Sequence, residues 1–174
     1  MPSRRVRSPL ALSLLLLPLA GSLDAQSGPR PKSCTAAEYR QFDFWIGEWE
    51  VTLPDGSPAG ANRIERILDG CALKESWTGA GGGHGTSYNT YDAGRHRWHQ
   101  TWVDDQGNLF VLEGTIADGR MTLEGETVDT AGRGQRHRIA WQQMAPGRVR
   151  QLWEMSSDGG TTWSTTFDGR YRKR

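Results

Sequence analysis

The sequence predicts an all-β chain, an antiparallel meander closed into a barrel of about ten strands. Three observations carry that reading. From Phe44 onward, short runs rich in aromatic and β-branched residues recur at close, regular spacing. Each run stops at turn chemistry built on Gly and Asp, which supply positive φ and local backbone hydrogen bonds. No helical period of useful length appears after Gln41. Closing the meander removes the sheet edges that would otherwise aggregate.

The first residues read as a processing segment. Arg4, Arg5 and Arg7 form a positive lead, Leu10 to Leu19 an apolar run, and Ala20, Gly21, Ser22 and Ala25 a small-residue stretch. That order is a secretory signal peptide over residues 1–25, with cleavage expected after Ala25 and Ser22 as the second choice. Arg4-Arg5 leaves twin-arginine export open beside the general route, although Arg7 interrupts the apolar stretch. The apolar run is too short to span a membrane. Export places the mature chain in the periplasm or outside the cell. Residues 26–41 are a lead rich in Pro, Gly, Ser and basic residues, ending in a short helical turn with Thr35 as N-cap and Glu38 at capping-box spacing. Residues 42–174 form the barrel domain.

The strands are expected at 44–53, 61–69, 71–78, 85–92, 96–103, 108–116, 120–128, 135–144, 147–155 and 162–172. Among the breaks, Pro54-Asp55-Gly56, Asp69-Gly70, Asp118-Gly119 and Ser157-Asp158-Gly159-Gly160 are the plainest hairpin signals. Cys34 and Cys71 are the only cysteines. An even count in an exported protein predicts one disulfide, closing a loop of about 36 residues and constraining the unfolded chain by a few kcal/mol.

Charge excludes one class of function. The totals are 21 basic and 20 acidic residues. Cleavage would remove Arg4, Arg5, Arg7 and Asp24, leaving a balance of −1. Such a chain lacks the electrostatic footprint of a nucleic-acid binder.

Alternation sorts the side chains by face. Trp45, Gly47, Trp49, Val51 and Leu53 share one face of the first strand. Leu73, Glu75 and Trp77 share one face of the third; His96, Trp98, Gln100 and Trp102 share one of the fifth. Val149, Gln151, Trp153 and Met155 go together on the ninth, and Trp163, Thr165, Phe167, Gly169 and Tyr171 on the tenth. These apolar-heavy sets should point inward, and they hold most of the eight tryptophans. Glu75, Gln100 and Gln151 fall on them too, and buried Glu and Gln are costly unless hydrogen-bonded. The interior is then either a satisfied internal network in a filled barrel or a cavity aimed at a ligand. For the cavity, Glu75, Trp77, Trp98, Gln100, Trp102, Gln151 and Trp153 are the expected ligand-binding residues, suited to a small amphipathic molecule with a flat face.

Other constellations carry less. Gly79 to Gly85 looks like a phosphate cradle, but a strand follows it, so no helix N-terminus meets an anion. Its expected role is a mobile loop at the barrel mouth. His96 and His99 fall on opposite faces of one strand and cannot chelate one ion together. Asp104-Asp105 reads as a solvated turn. Glu75 is the one carboxylate suited to chemistry, because burial beside Trp77 would raise its pKa toward proton transfer. Its structural alternative is an internal partner such as Arg138. No catalytic residue beyond Glu75 and no metal site is expected.

Gly47-Glu48-Trp49 resembles the Gly-x-Trp of lipocalins and related calycin barrels, where the Trp closes the base. The wider set is similar to small bacterial lipocalin-like domains. It comprises Phe42 to Trp49, Asp69-Gly70-Cys71 with Glu75-Ser76-Trp77, Tyr91-Asp92 with Arg97 to Asp104, and Gln151 to Glu154. The resemblance covers about Phe42 to Tyr171. It implies a calycin-type barrel, ten-stranded as in nitrobindins, and no settled activity. A nitrobindin-like barrel would further imply haem held axially by one histidine, with His99 and His137 as the candidates. Ser156-Ser157-Asp158-Gly159-Gly160-Thr161-Thr162-Trp163 resembles the Asp-box hairpin of sialidases and is read here as a hairpin stabiliser. Three functions stay open. One is an exported small-molecule binder; another is an enzyme using Glu75 as acid or base; the third is a structural domain with a filled barrel. No nucleic-acid partner is expected, and the oligomeric state is left undetermined.

Overall fold

Strands that alternate in and out can hide one surface along its whole length only if the sheet meets itself. In the computed structural model, which describes residues 33–174, ten antiparallel strands run in sequence order and the last pairs with the first. They are β1 (Gly47–Thr52), β2 (Pro58–Ile67), β3 (Ala72–Gly79), β4 (His84–Asp92), β5 (Arg97–Asp104), β6 (Leu109–Ala117), β7 (Arg120–Val128), β8 (Gly134–Ala145), β9 (Arg148–Ser156) and β10 (Ser164–Lys173). The expected signal peptide and residues 26–32 of the lead lie outside the described residues. Among the described residues no helix is long and apolar enough to cross a membrane.

The first strand is shorter than the sequence suggests. It begins at Gly47, because Asp43–Trp45 winds into a 3-10 turn. Residues three apart eclipse in such a turn, and Phe42 and Trp45 stack with ring centroids 4.9 Å apart. Trp45 therefore does not share the β1 face with Trp49. It drops beneath the barrel, where its carbonyl accepts from Trp49 Nε1 at 2.9 Å. A second 3-10 turn covers Ala37–Arg40, with Ala36 at its N-cap and no side-chain cap. Thr35 thus does not cap it, since the turn starts one residue too late for the expected box.

These turns plug one end. Phe42, Trp45, Trp49, Trp98 and Trp141 are essentially inaccessible to solvent. Phe42 meets Trp98 and Trp141 edge-on at 5.6 and 5.2 Å. Each such pair adds roughly 0.5–1.5 kcal/mol beyond burial itself. The expected disulfide joins Cys34 to Cys71 across 37 residues. It ties the N-terminal segment to the β2–β3 corner, where Arg40 donates to the carbonyls of Cys34 (3.1 Å) and Gly70.

β10 departs from simple alternation. Its pairing with β9 slips between Thr165 and Phe167, and a bulge of this kind reverses the parity of everything before it. Phe167 and Tyr171 point inward as expected; Trp163 and Thr165 do not join them. Trp163 lies outside, under the Arg138 guanidinium at 4.1 Å, with its indole nitrogen donating to Gly160 O at 3.0 Å. Arg138 pairs with Glu154 at 2.9 Å on that outer surface, so it is no partner for Glu75. His96 also leaves the inward set: it occupies the β4–β5 turn at φ 53°, exposed to solvent.

Candidate functional site

Above its aromatic base the barrel is hollow. A cavity of about 210 Å³ lies in the half nearest the β3–β4, β5–β6 and β9–β10 turns. Trp77, Trp102, Phe110, Trp153 and Phe167 form its upper wall, and Leu112, Ile139 and Trp141 its lower one. Trp102 can lie flat because Gly85 stands beside it; a Cβ there would sit 2.1 Å from the indole. Four polar side chains complete the lining deep inside: Glu75, Gln100, Gln151 and Tyr171. Thr166 lies on the cavity's exposed edge. Among the described residues no Lys, Arg or His lines it.

Glu75 is the centre of a buried network. It is only 4% exposed. Asn62 Nδ2 donates to Oε1 at 2.7 Å, and Ser87 Oγ donates to Oε2 at 2.6 Å. Ser87 lies directly across the β3–β4 ladder, and Asn62 comes from β2. Ser87 Oγ in turn accepts from Asn89 Nδ2 at 2.9 Å and Gln100 Nε2 at 3.3 Å. Gln100 Nε2 also donates to Asn89 Oδ1 at 2.8 Å. With both lone pairs taken, the Ser87 hydroxyl hydrogen is committed to Glu75. On the other side, Asn62 Nδ2 reaches Tyr171 OH at 3.3 Å, and that hydroxyl donates to Gln151 Oε1. The donors therefore converge on the carboxyl from β2 and β4, as an anion requires.

Burial nonetheless dominates its titration. Desolvation raises the Glu75 pKa from 4.5 to about 7, against the lowering effect of Ser87 and Asn62. Tyr171 is held well above its ordinary value, first by burial and then by the nearby Glu75 charge. Two polar atoms here lack partners among the described residues: Asn62 Oδ1 and Trp141 Nε1.

Glu75, Trp77, Gln100, Trp102, Gln151 and Trp153 thus meet on one cavity. Trp98 does not: it belongs to the base, where its Nε1 donates to Gln41 Oε1 at 3.1 Å. Periodicity placed it on the correct face but could not place it by height along the barrel. Sequence reasoning missed Phe110, Leu112, Ile139, Trp141 and Thr166 on the cavity, placed Phe167 and Tyr171 inward without assigning them to the ligand, and missed Asn62, Ser87 and Asn89 behind Glu75. The signal for the last three was available, since each occupies an inward position of its strand. Polar residues on inward positions of neighbouring strands mark a network as well as Glu75 does.

The histidines lie apart from the cavity. His99 faces outward, 2.8 Å from Thr101 Oγ1 and 3.5 Å from Glu113. His137 is buried, but both ring nitrogens are engaged: Trp153 Nε1 donates to Nδ1 at 3.2 Å, which leaves Nε2–H for Thr127 Oγ1 at 2.8 Å. Neither fits an axial haem ligand without breaking these contacts. Among the described residues no group of three His, Cys, Asp or Glu could hold a metal ion. Asp104 and Asp105 cap turns, Asp104 Oδ1 accepting from Gln106 N and Asn108 N and Asp105 Oδ2 from His84 N. In the β9–β10 hairpin, Asp158 accepts from Ser156 Oγ, Thr162 N and Thr162 Oγ1. These bonds hold the carboxylate well below its ordinary range.

No protein-family model matches the chain, and no curated protein matches it.

Proposed function

We propose that the protein is an exported, lipocalin-like binding barrel that holds a small amphipathic molecule in the Glu75 cavity. One observation carries the reading: a largely aromatic cavity with a network of buried polar side chains at its depth. Ligand sites are typically apolar hollows with a few convergent polar groups. At about 210 Å³ this one is smaller than the roughly 300–1,000 Å³ of drug-sized sites, so the ligand is small. The disulfide supports export, as do the charge and apolar order of residues 1–25. The Gly47-x-Trp49 start and the ten-strand closure support the lipocalin-like assignment, with residues 42–174 as its domain. The Ser156–Trp163 turn is proposed as an Asp-box hairpin serving stability alone.

Native mass spectrometry of protein purified from its own host, with titration by 4-ethylphenol followed through tryptophan emission, tests this. A stoichiometric bound mass or saturable quenching is expected. A protein that carries nothing and ignores the phenol up to its solubility would refute the reading.

A second reading is favoured by the Glu75 pKa near 7. At that value the carboxyl exchanges protons readily at neutral pH, as a general acid or base must. In an isomerase or lyase step it would move a proton to or from carbon. Deuterium incorporation from solvent into a bound ligand, lost in Glu75→Gln, is the expected signature. Incorporation unaffected by that substitution would eliminate it.

A further inference from the structure

The cavity's charge makes the ligand class more specific. Buried carboxylates are ordinarily paired with a cation or coordinate a metal. Glu75 is buried, its hydrogen-bonded neighbours are all donors arranged for an anion, and none of them carries charge. The elements packed around it present Asn62 from β2, Ser87 and Asn89 from β4, Gln100 from β5, Gln151 from β9 and Tyr171 from β10. Tyr171 is the only other titratable group in this set. The barrel therefore holds an acidic site without its counter-ion. A metal ion is a poor occupant, since Glu75 is the one carboxylate on the lining and, among the described residues, no group of three His, Cys, Asp or Glu could hold one. The wall suits an organic cation: tryptophan faces attract ammonium groups, and Trp77, Trp102 and Trp153 all border the cavity. Trp141 Nε1, also on the cavity, is a buried donor without an acceptor among the described residues, and a ligand oxygen would supply one.

From this geometry we infer that the ligand is a small protonated amine on a flat apolar body bearing an oxygen, its ammonium paired with Glu75. The inference rests on the binding reading above. Such an occupant supplies the missing positive charge, fits the aromatic wall and satisfies the indole N–H in one molecule. Binding it requires ionised Glu75, so affinity must fall as pH drops below about 7.

Three probes of one shape separate the possibilities: tyramine, its neutral alcohol tyrosol and its carboxylate counterpart phloretic acid. Calorimetric titration of the full mature chain near pH 8 should give tyramine at least about tenfold tighter binding than tyrosol, with phloretate weakest. Tyramine affinity should then weaken by up to about tenfold per pH unit below 7, while tyrosol holds constant. Glu75→Gln should erase the preference for tyramine over tyrosol. Because that variant disturbs a buried network, the pH series on the unaltered protein is the independent arm. Tyrosol binding as tightly as tyramine near pH 8, or a flat tyramine profile, overturns the cation assignment and leaves a binding barrel. If none of the three binds, the assignment falls, and the 4-ethylphenol titration decides whether the binding reading falls with it.

Discussion

Glu75 should make the ligand-free protein less stable as pH rises through neutrality. Its carboxyl has a pKa of 4.5 when unfolded and about 7 when folded. In that window the folded state binds more protons, so the stabilising contribution is full below 4.5 and lost as pH climbs through 7. A shift of one unit corresponds to about 1.4 kcal/mol, so the whole effect is about 3 kcal/mol. Between pH 5 and 8 about 2–3 kcal/mol of it should be seen, because at pH 5 the unfolded carboxyl is already mostly ionised. His137 opposes it: burial lowers its pKa, so its contribution is present above its unfolded 6.5 and lost as pH falls. The comparison of wild type with Glu75→Gln cancels the His137 effect. The Gln amide meets Asn62 Nδ2 less favourably than the carboxylate does, but that cost is the same at every pH and adds an offset, not a slope. Urea unfolding with the disulfide intact, monitored by circular dichroism near pH 5 and pH 8, measures both proteins. The stability difference should move in the variant's favour by about 2–3 kcal/mol over that range. A movement below about 0.5 kcal/mol would mean that Glu75 titrates as if solvated, and the buried-anion argument would fail with it.

The cavity and base allow three further tests. Gly85→Ala places a Cβ 2.1 Å from the Trp102 ring; it should cost about 1–3 kcal/mol in thermal unfolding and weaken 4-ethylphenol binding by tilting that indole. Replacing Cys34 and Cys71 together by Ser opens a closure of 37 residues and should lower stability by about 4 kcal/mol in urea. Thr166→Trp, at the cavity's exposed edge, should slow association and release of 4-ethylphenol in stopped-flow fluorescence while leaving the unfolding midpoint unchanged.

Period-two alternation was legible for β3, β5 and β9 because those strands run without irregularity past the cavity. It therefore brought Glu75, Trp77, Gln100, Trp102, Gln151 and Trp153 to one surface. It failed where the backbone breaks period. The bulge near Thr166 turned Trp163 outward, and bulges leave little trace in a run such as Ser164-Thr165-Thr166-Phe167. The 3-10 turn at Asp43–Trp45 was hidden by its own composition, since Phe-Trp-Ile reads as strand. Height along the barrel was not legible either. Trp98 and Trp102 share a face, yet one plugs the base and the other borders the cavity. That difference comes from Phe42 and Trp45 entering from below, a contact between distant segments. Asn62 on β2 and Ser87 and Asn89 on β4 show the same limit: their inward positions are legible, but only register brings them to Glu75.

Register also argues that the hollow is no packing defect. The base shows that this chain can fill a barrel with aromatics down to complete burial. Directly above, it places Asn62, Glu75, Ser87, Asn89, Gln100, Gln151 and Tyr171 on the inner faces of six strands. An apolar residue of similar size at position 75 would avoid the desolvation that lifts the carboxyl pKa to about 7. It would also release the surrounding amides from their tasks. Replacing buried charge by well-packed apolar groups is often neutral or stabilising, so stability alone would not keep Glu75. A residue that breaks the local rules at a cost, inside a hollow bordered by indoles, is where function is expected to lie. That logic separates the aromatic base from the aromatic wall. The base lowers the free energy of folding, and the wall leaves part of that stabilisation for a ligand to supply.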